Sequence, residues 1–118
     1  MISMREAYEK IGANYDDACV RLMGEEMLAR FALKFLDDES MDKLEAAMAA
    51  GDAQGAFMAV HTLKGVSQNL GFDNLYEPAV VVTEALRNAD AVDGARDGMH
   101  TLRQQYAATM SALREAAE

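Results

Sequence analysis

The sequence predicts an all-α fold, an antiparallel four-helix bundle with short N-terminal flanking helices. The 118 residues are rich in alanine, include nine methionines, and contain only one proline and no tryptophan, a composition that favours helix. Apolar residues also recur at three- and four-residue steps, which is the pattern of helices with one buried stripe. The connections between these helices are short and polar, so sequence neighbours are expected to lie side by side and antiparallel.

Two short helices are predicted at the N-terminal end of the chain. Ser3 is the expected N-cap of the first helix, because Glu6 follows three residues later in the arrangement of a capping box. Gly12 is the expected end of that helix. The segment YDDACVRLMG predicts the second short helix, which ends near Gly24.

Breaking and capping residues delimit the next three predicted helices. Residues 25–36 carry one apolar stripe, and the segment DDES ends that helix. Ser40 is the expected cap of the helix MDKLEAAMAA, which ends at Gly51. Asp52 is expected to cap the following helix, which runs to about Leu70.

Pro78 sets the predicted start of the helix after that. A helix that began at Asp73 would place the proline in its second turn, where a backbone hydrogen bond would be lost. We therefore expect a turn over residues 72–76 and a helix that begins near Pro78, where the missing N–H costs little. The segment DAVDG predicts a loop, and the last helix is expected from about Ala95 to the end of the chain.

Length and charge limit the domain organisation and the partners. One domain is expected over residues 1–118, with its core bundle over about residues 25–118. The formal net charge of −9 argues against nucleic acid and anionic membrane as partners, because both bind basic surfaces. The first residues do not resemble a signal peptide, and no apolar run approaches the ~20 residues that cross a bilayer. We expect a cytoplasmic monomer, in which the single Cys19 excludes an intrachain disulfide.

The two histidines of the chain lie in similar segments, HTLKG at residues 61–65 and HTLRQ at residues 100–104. At about 100° per residue, the apolar residues of the helix around His61 share the opposite side. They are Ala56, Ala59, Leu63, Val66 and Leu70. His61 is therefore expected in the middle of the exposed face, where a histidine is most often an ordinary solvated residue.

The neighbours of His61 favour a chemical role. Gly65 lies inside a helix, where glycine costs about 1 kcal/mol relative to alanine, and it leaves space beside the imidazole. Lys64 places an ammonium group where it can neutralise an anion on the ring. Each residue alone has an ordinary explanation, such as a solvated lysine or a phenyl ring packed on a neighbouring helix. The side chains expected to form a docking surface on this face are Phe57, Met58 and Gln68.

A neutral imidazole can attack phosphorus without a general base. Its reference pKa is about 6.5, so an unprotonated nitrogen is available for much of the population near pH 7. A phosphoryl group on nitrogen is activated and transferable. Exposure of that group is useful when its donor and acceptor are other proteins.

The segment HTLKGVSQNLGF resembles the phosphorylation motif of histidine-containing phosphotransfer (HPt) domains, most closely from about Phe57 to Leu75. This resemblance implies a four-helix bundle whose exposed histidine exchanges a phosphoryl group with aspartates of response-regulator receiver domains, or receives it from a histidine kinase. It implies that His61 is the phosphoacceptor, that Lys64 lies beside the phosphoryl group, and that Gly65 gives clearance.

The chain departs from the family pattern on the next helix. HPt domains often have a Gln or Glu there that hydrogen-bonds the second nitrogen of the histidine. A count without gaps places Thr83 at that position, with Glu84 adjacent. Threonine is shorter, so a water, Glu84 or Gln68 is an alternative partner of the ring.

The remaining patterns argue against other functions. The segment HTLRQ keeps a basic residue, Arg103, but has Gln104 in place of the glycine, so His100 is expected to be a surface or edge histidine of the last helix. The sequence has no glycine-rich phosphate loop and no cluster typical of zinc or di-iron sites. We expect a phosphocarrier without its own ATP site or cofactor, with Mg²⁺ only on the partner receiver. The alternatives are an HPt-like adaptor that is not phosphorylated and a plain helical scaffold.

Overall fold

The computed structural model describes residues 1–117, and the predicted all-α class is confirmed, since this part of the chain contains helices and no β-strand. Two short 3-10 turns, Phe35–Asp37 and Asp93–Ala95, supplement the α-helices. The α-helices are α1 (Met4–Ile11), α2 (Tyr15–Arg21), α3 (Glu25–Lys34), α4 (Ser40–Ala50), α5 (Ala53–Asn69), α6 (Asp73–Leu86) and α7 (Arg96–Ala117).

The predicted capping residues of α1 are confirmed. The Glu6 backbone N–H donates to Ser3 Oγ at 3.0 Å, and the Ser3 backbone N–H donates to Glu6 Oε1 at 3.2 Å. Gly12 ends the helix with φ at 71°, a left-handed conformation that costs glycine little. These reciprocal bonds satisfy two backbone donors that a helix start leaves without a partner.

The predicted cap of α4 was wrong. Ser40 is the first residue of the helix itself and is buried, and Glu39 precedes it without a side-chain cap. The reason is local, because Asp38 Oδ1 accepts from the Ser40 backbone N–H at 2.9 Å. The end of α4 at Gly51, with φ at 70°, is as predicted.

The predicted start of α6 was also wrong. The helix begins at Asp73, and Pro78 lies inside it. Phe72 and Leu75 are fully buried, and the Phe72 carbonyl accepts from the backbone N–H groups of Leu75 at 3.0 Å and Tyr76 at 2.9 Å. Burial of two large apolar side chains offsets the hydrogen bond that the proline removes.

Helix α5 packs between α4 and α6, and α6 packs in turn against α7. Asn74 Nδ2 on α6 donates to Gln105 Oε1 at 3.1 Å and to Thr109 Oγ1 at 2.9 Å on α7. At the other end of this interface, a methyl group added at Gly98 would lie 3.0 Å from Val82 Cγ2. These contacts show that α6 and α7 run in opposite directions and that glycine permits their close approach.

A common apolar core joins the helices. Its largest fully buried side chains come from every α-helix except α2 and from the adjoining connections: Tyr8, Leu28, Phe35, Leu44, Val60, Leu63, Phe72, Leu75, Leu86, Met99, Leu102 and Leu113. Within residues 1–117, none of the helices is both long enough and apolar enough to span a membrane.

Helix α1 is tied to the far end of α5. The Tyr8 hydroxyl donates to the Leu70 carbonyl at 2.7 Å, and the Tyr8 ring lies 5.3 Å from that of Phe72. Burial raises the pKa of Tyr8 above its ordinary value. On the surface, Lys10 Nζ lies 2.9 Å from Glu115 Oε2 of α7. The N-terminal helix is therefore part of the packed structure.

Candidate functional site

Helix α5 carries His61 near its middle and begins at a well-defined cap. Asp52 Oδ1 accepts from the Gly55 backbone N–H at 2.9 Å, as predicted from the sequence. The buried side of α5 includes Ala56, Ala59, Val60 and Leu63, and His61 is exposed. The helical periodicity therefore predicted the exposure of the imidazole correctly, although Val66, expected on the buried side, is only partly buried.

The exposed side of α5 is free of negative charge. The helix contains no Asp or Glu, and Lys64 is its only Lys or Arg residue, although the whole chain has 20 acidic residues. Lys64 is partly buried. The pKa of Glu84 on α6 is lowered mainly by Arg87, and the charge of Lys64 adds a smaller effect. An anion attached to His61 would therefore meet a cation on the same helix and no carboxylate of α5.

The surface beside His61 is open at Gly65. A methyl group added at this glycine would have no heavy atom within 4 Å, apart from its chain neighbours and the backbone of its own helix. Residues four apart on a helix lie on the same face, so this space adjoins the imidazole. Lys64 and Gly65 follow His61 by three and four residues in α5, which places them on the same side of the helix as the imidazole.

The three residues expected to form a docking surface differ in their surroundings. Met58 is 62% exposed. Gln68 is also exposed, and its backbone carbonyl accepts from Arg21 Nη1 at 2.6 Å. Phe57 is partly buried and packs against the core. The centroids of the Phe57 and His61 rings lie 6.0 Å apart, and the interplanar angle is 14°, which is the geometry of an offset stack.

Thr83 and Glu84, two of the residues considered as hydrogen-bond partners of the His61 ring, are engaged elsewhere. Thr83 is fully buried, and its hydroxyl donates to the Ala79 carbonyl at 2.7 Å. Glu84 accepts from Arg87 Nε at 3.3 Å and from Arg87 Nη2 at 3.1 Å. These bonds and the charge of Arg87 hold the pKa of Glu84 below its ordinary value. In the described part of the chain, no side chain forms a hydrogen bond with the His61 ring.

Arg87 was not predicted from the sequence to lie near His61. Its guanidinium carbon lies 5.3 Å from the centroid of the Phe57 ring, so the residue directly after α6 contacts the aromatic residue that stacks on His61. The sequence offered one signal, the Glu84 to Arg87 spacing of three residues that favours an ion pair on a helix. The contact with Phe57 depends on the register between α5 and α6, which this spacing does not define.

His100 lies in different surroundings from His61. It is exposed on α7, between the fully buried Met99 and Leu102. Arg103 Nε lies 2.8 Å from Glu45 Oε2, so the basic residue of this segment is paired with a carboxylate on α4. Across residues 1–117, no cluster of three or more His, Cys, Asp or Glu residues is arranged to hold a metal ion.

Comparison with known proteins gave one match. The family model described as the Hpt domain matches residues 26–116, a segment that includes α4 to α6 and all the site residues described above. No curated protein matched the chain, and no solved structure did.

Proposed function

Because this chain belongs to the Hpt domain family, we propose that it is a histidine phosphotransfer protein of a two-component phosphorelay, with His61 as the phosphoacceptor. In this function His61 carries a phosphoryl group between receiver-domain aspartates, or receives it from a histidine kinase. The observation that carries the proposal is the exposure of His61 on a helix face with Lys64 adjacent and open space at Gly65.

The proposed chemistry requires one nucleophilic nitrogen. The unprotonated imidazole nitrogen attacks the phosphorus of an aspartyl phosphate, an N–P bond forms, and the P–O bond to the aspartate breaks. The carboxylate leaves with the electron pair, and the ring keeps the proton on its other nitrogen until water accepts it. In the onward step the other ring nitrogen takes a proton back from water, and a carboxylate oxygen of the second receiver attacks phosphorus. A P–O bond forms, the N–P bond breaks, and its electron pair returns to the ring, which leaves as neutral imidazole.

Lys64 and Gly65 have separate roles in this proposal. The Lys64 ammonium stabilises negative charge on the phosphoryl oxygens while the group is transferred. Gly65 leaves room for the partner's aspartate to reach phosphorus in line with the bond that breaks. Met58 and Gln68 extend the exposed face on which the receiver docks.

We further propose that α4 to α7 form the antiparallel four-helix bundle of the HPt fold and that residues 1–118 form one domain. The match over residues 26–116 and the packing of α5 with α4 and α6, and of α6 with α7, support this arrangement. The predictions of a cytoplasmic monomer, and of a carrier without its own cofactor or ATP site, stay predictions. Mg²⁺ is expected on the receiver, which supplies the aspartate.

The function can be tested with a receiver domain that carries a ³²P-labelled aspartyl phosphate. The wild-type chain should accept label in an acid-labile, base-stable form, as a phosphoramidate does. His61→Gln should abolish labelling, while the matched variant His100→Gln should retain it. Equal labelling of the two variants would refute His61 as the acceptor, and tight receiver binding without labelling would favour the adaptor function.

A further inference from the structure

We propose that Phe57 is a positioning residue for the His61 ring and that Arg87 holds the Phe57 ring in place. This inference rests on the proposed function, since it concerns how the phosphoacceptor is oriented. An aromatic stack within α5 takes the place of the expected hydrogen bond from α6, and the Arg87 guanidinium group supports this stack from the end of α6.

The expected hydrogen-bond partners on α6 form hydrogen bonds to other groups. The Thr83 hydroxyl is bonded to the Ala79 carbonyl inside the helix, and both carboxylate oxygens of Glu84 accept from Arg87. The His61 ring is exposed, so without another contact it would rotate among several side-chain conformations. A rotating nucleophile presents its nitrogen in the attack direction for only part of the time.

The His61 ring instead contacts the ring of Phe57. Phe57 precedes His61 by four residues, a spacing that places both side chains on one helix face. Their rings are nearly parallel, with centroids 6.0 Å apart. Phe57 is partly buried and packs against the core, so its ring has less freedom than that of an exposed residue. The stack therefore restricts the plane of the imidazole.

Arg87, directly after α6, connects the stack to that helix. Its guanidinium carbon lies 5.3 Å from the Phe57 centroid, within the range of a cation–π contact. Two hydrogen bonds to Glu84 hold the guanidinium group. A series of contacts thus runs from Glu84 through Arg87 and Phe57 to His61, and it joins the two helices beside the proposed phosphorylation site.

Stacking has a chemical consequence that a hydrogen bond does not. A hydrogen bond to one imidazole nitrogen determines which nitrogen carries the proton, whereas a stack contacts the face of the ring and leaves both nitrogens free. We therefore expect the His61 ring to be restricted in orientation, with both neutral tautomers populated. The ¹⁵N chemical shifts of the ring nitrogens report the tautomers, and ¹³C relaxation of the ring Cδ2–H bond reports the motion.

The experiment compares Phe57→Leu, which removes the ring, with Phe57→Tyr, which keeps it. In Phe57→Leu the His61 ring should become more mobile, and the maximal transfer rate at saturating phosphorylated receiver should fall about threefold to tenfold. The half-saturating receiver concentration should stay nearly constant. Phe57→Tyr should keep both the wild-type transfer rate and the restricted motion of the His61 ring. Arg87→Gln should also increase ring mobility.

Phe31→Leu provides a matched control. Phe31 is an exposed phenylalanine on α3 with the Lys34 ammonium 6.0 Å from its ring centroid, so it repeats the aromatic and cation pair on another helix. This variant should leave the motion of the His61 ring unchanged.

Two results would overturn the inference. One is unchanged ring mobility in both Phe57→Leu and Arg87→Gln, and the other is an effect of Phe57→Leu on the half-saturating concentration alone, which would make Phe57 a docking residue. Ring mobility is measured without a receiver, so it decides the inference even if the wild-type chain accepts no phosphoryl group. Arg87 is exposed, so its variant still provides a test if Phe57→Leu does not fold.

Discussion

Replacement of Gly65 by alanine should change stability and transfer rate in opposite directions. The added methyl group meets no heavy atom within 4 Å beyond its own helix backbone and chain neighbours, so no clash offsets the higher helix propensity of alanine. The free energy of unfolding should therefore rise by about 1 kcal/mol, which raises Tm by roughly 3–5 °C for a chain of this size. The same methyl group occupies the approach to His61, and the transfer rate should fall about tenfold.

Gly55→Ala is the internal control, because it is the same change in the same helix. A methyl group at Gly55 would overlap the Asp52 carboxylate that caps α5. Loss of that cap costs about 1 kcal/mol, so this variant should gain no stability. Urea unfolding and single-turnover transfer from a labelled receiver measure the two effects. If Gly65→Ala is more stable and equally fast, the open space at Gly65 does not serve access by the partner.

Three further changes have separable outcomes. Lys64→Ala should slow phosphoryl transfer or shorten the phosphohistidine lifetime, while the affinity of the unphosphorylated chain for a receiver stays nearly constant. A loss of receiver binding with a normal transfer rate would contradict this role. Tyr8→Phe should lower the free energy of unfolding by about 1 kcal/mol, because the Leu70 carbonyl loses its donor; an unchanged urea midpoint would show that this bond adds no net stability. Burial, with smaller effects from Cys19 and Glu25, raises the pKa of Tyr15 to about 12. The neutral phenol therefore contributes its full free energy of stabilisation below the reference pKa of about 10. This contribution is lost as the pH rises towards 12. Urea midpoints should fall over that range in the wild type and fall less in Tyr15→Phe, and equal slopes would argue against this assignment.

Local signals in the sequence predicted much of the fold. The caps at Ser3 and Asp52 and the helix ends at Gly12 and Gly51 each depend on residues within one turn, so they could be recognised without the tertiary structure. The exposure of His61 followed from helical periodicity for a similar reason. Each of these features is determined within a single helix.

The start of a helix was predicted wrongly where tertiary packing or a neighbouring side chain determined it. At α4, Asp38 rather than Ser40 accepts a hydrogen bond from the backbone at the helix start. Pro78 predicted a late start for α6, but the burial of Phe72 and Leu75 places that start at Asp73. The stack of Phe57 on His61 was not predicted either, although both residues lie on α5. The helical wheel placed them on one face, but the orientation of the phenyl ring depends on the core and on contacts from α6.

The attachment of α1 by Tyr8 has a consequence for the order of folding. The hydrogen bond from Tyr8 to Leu70 spans 62 residues, and that from Lys10 to Glu115 spans 105, whereas α4, α5 and α6 contact their immediate sequence neighbours. Closing long loops costs more chain entropy than closing short ones. We therefore expect the hairpin of α4 and α5 to assemble early and α1, although it precedes them in the chain, to dock late. We expect unfolding to follow the reverse order, with α1 opening first. The backbone amides of α1 should therefore exchange with solvent deuterium faster than those in the centre of α5.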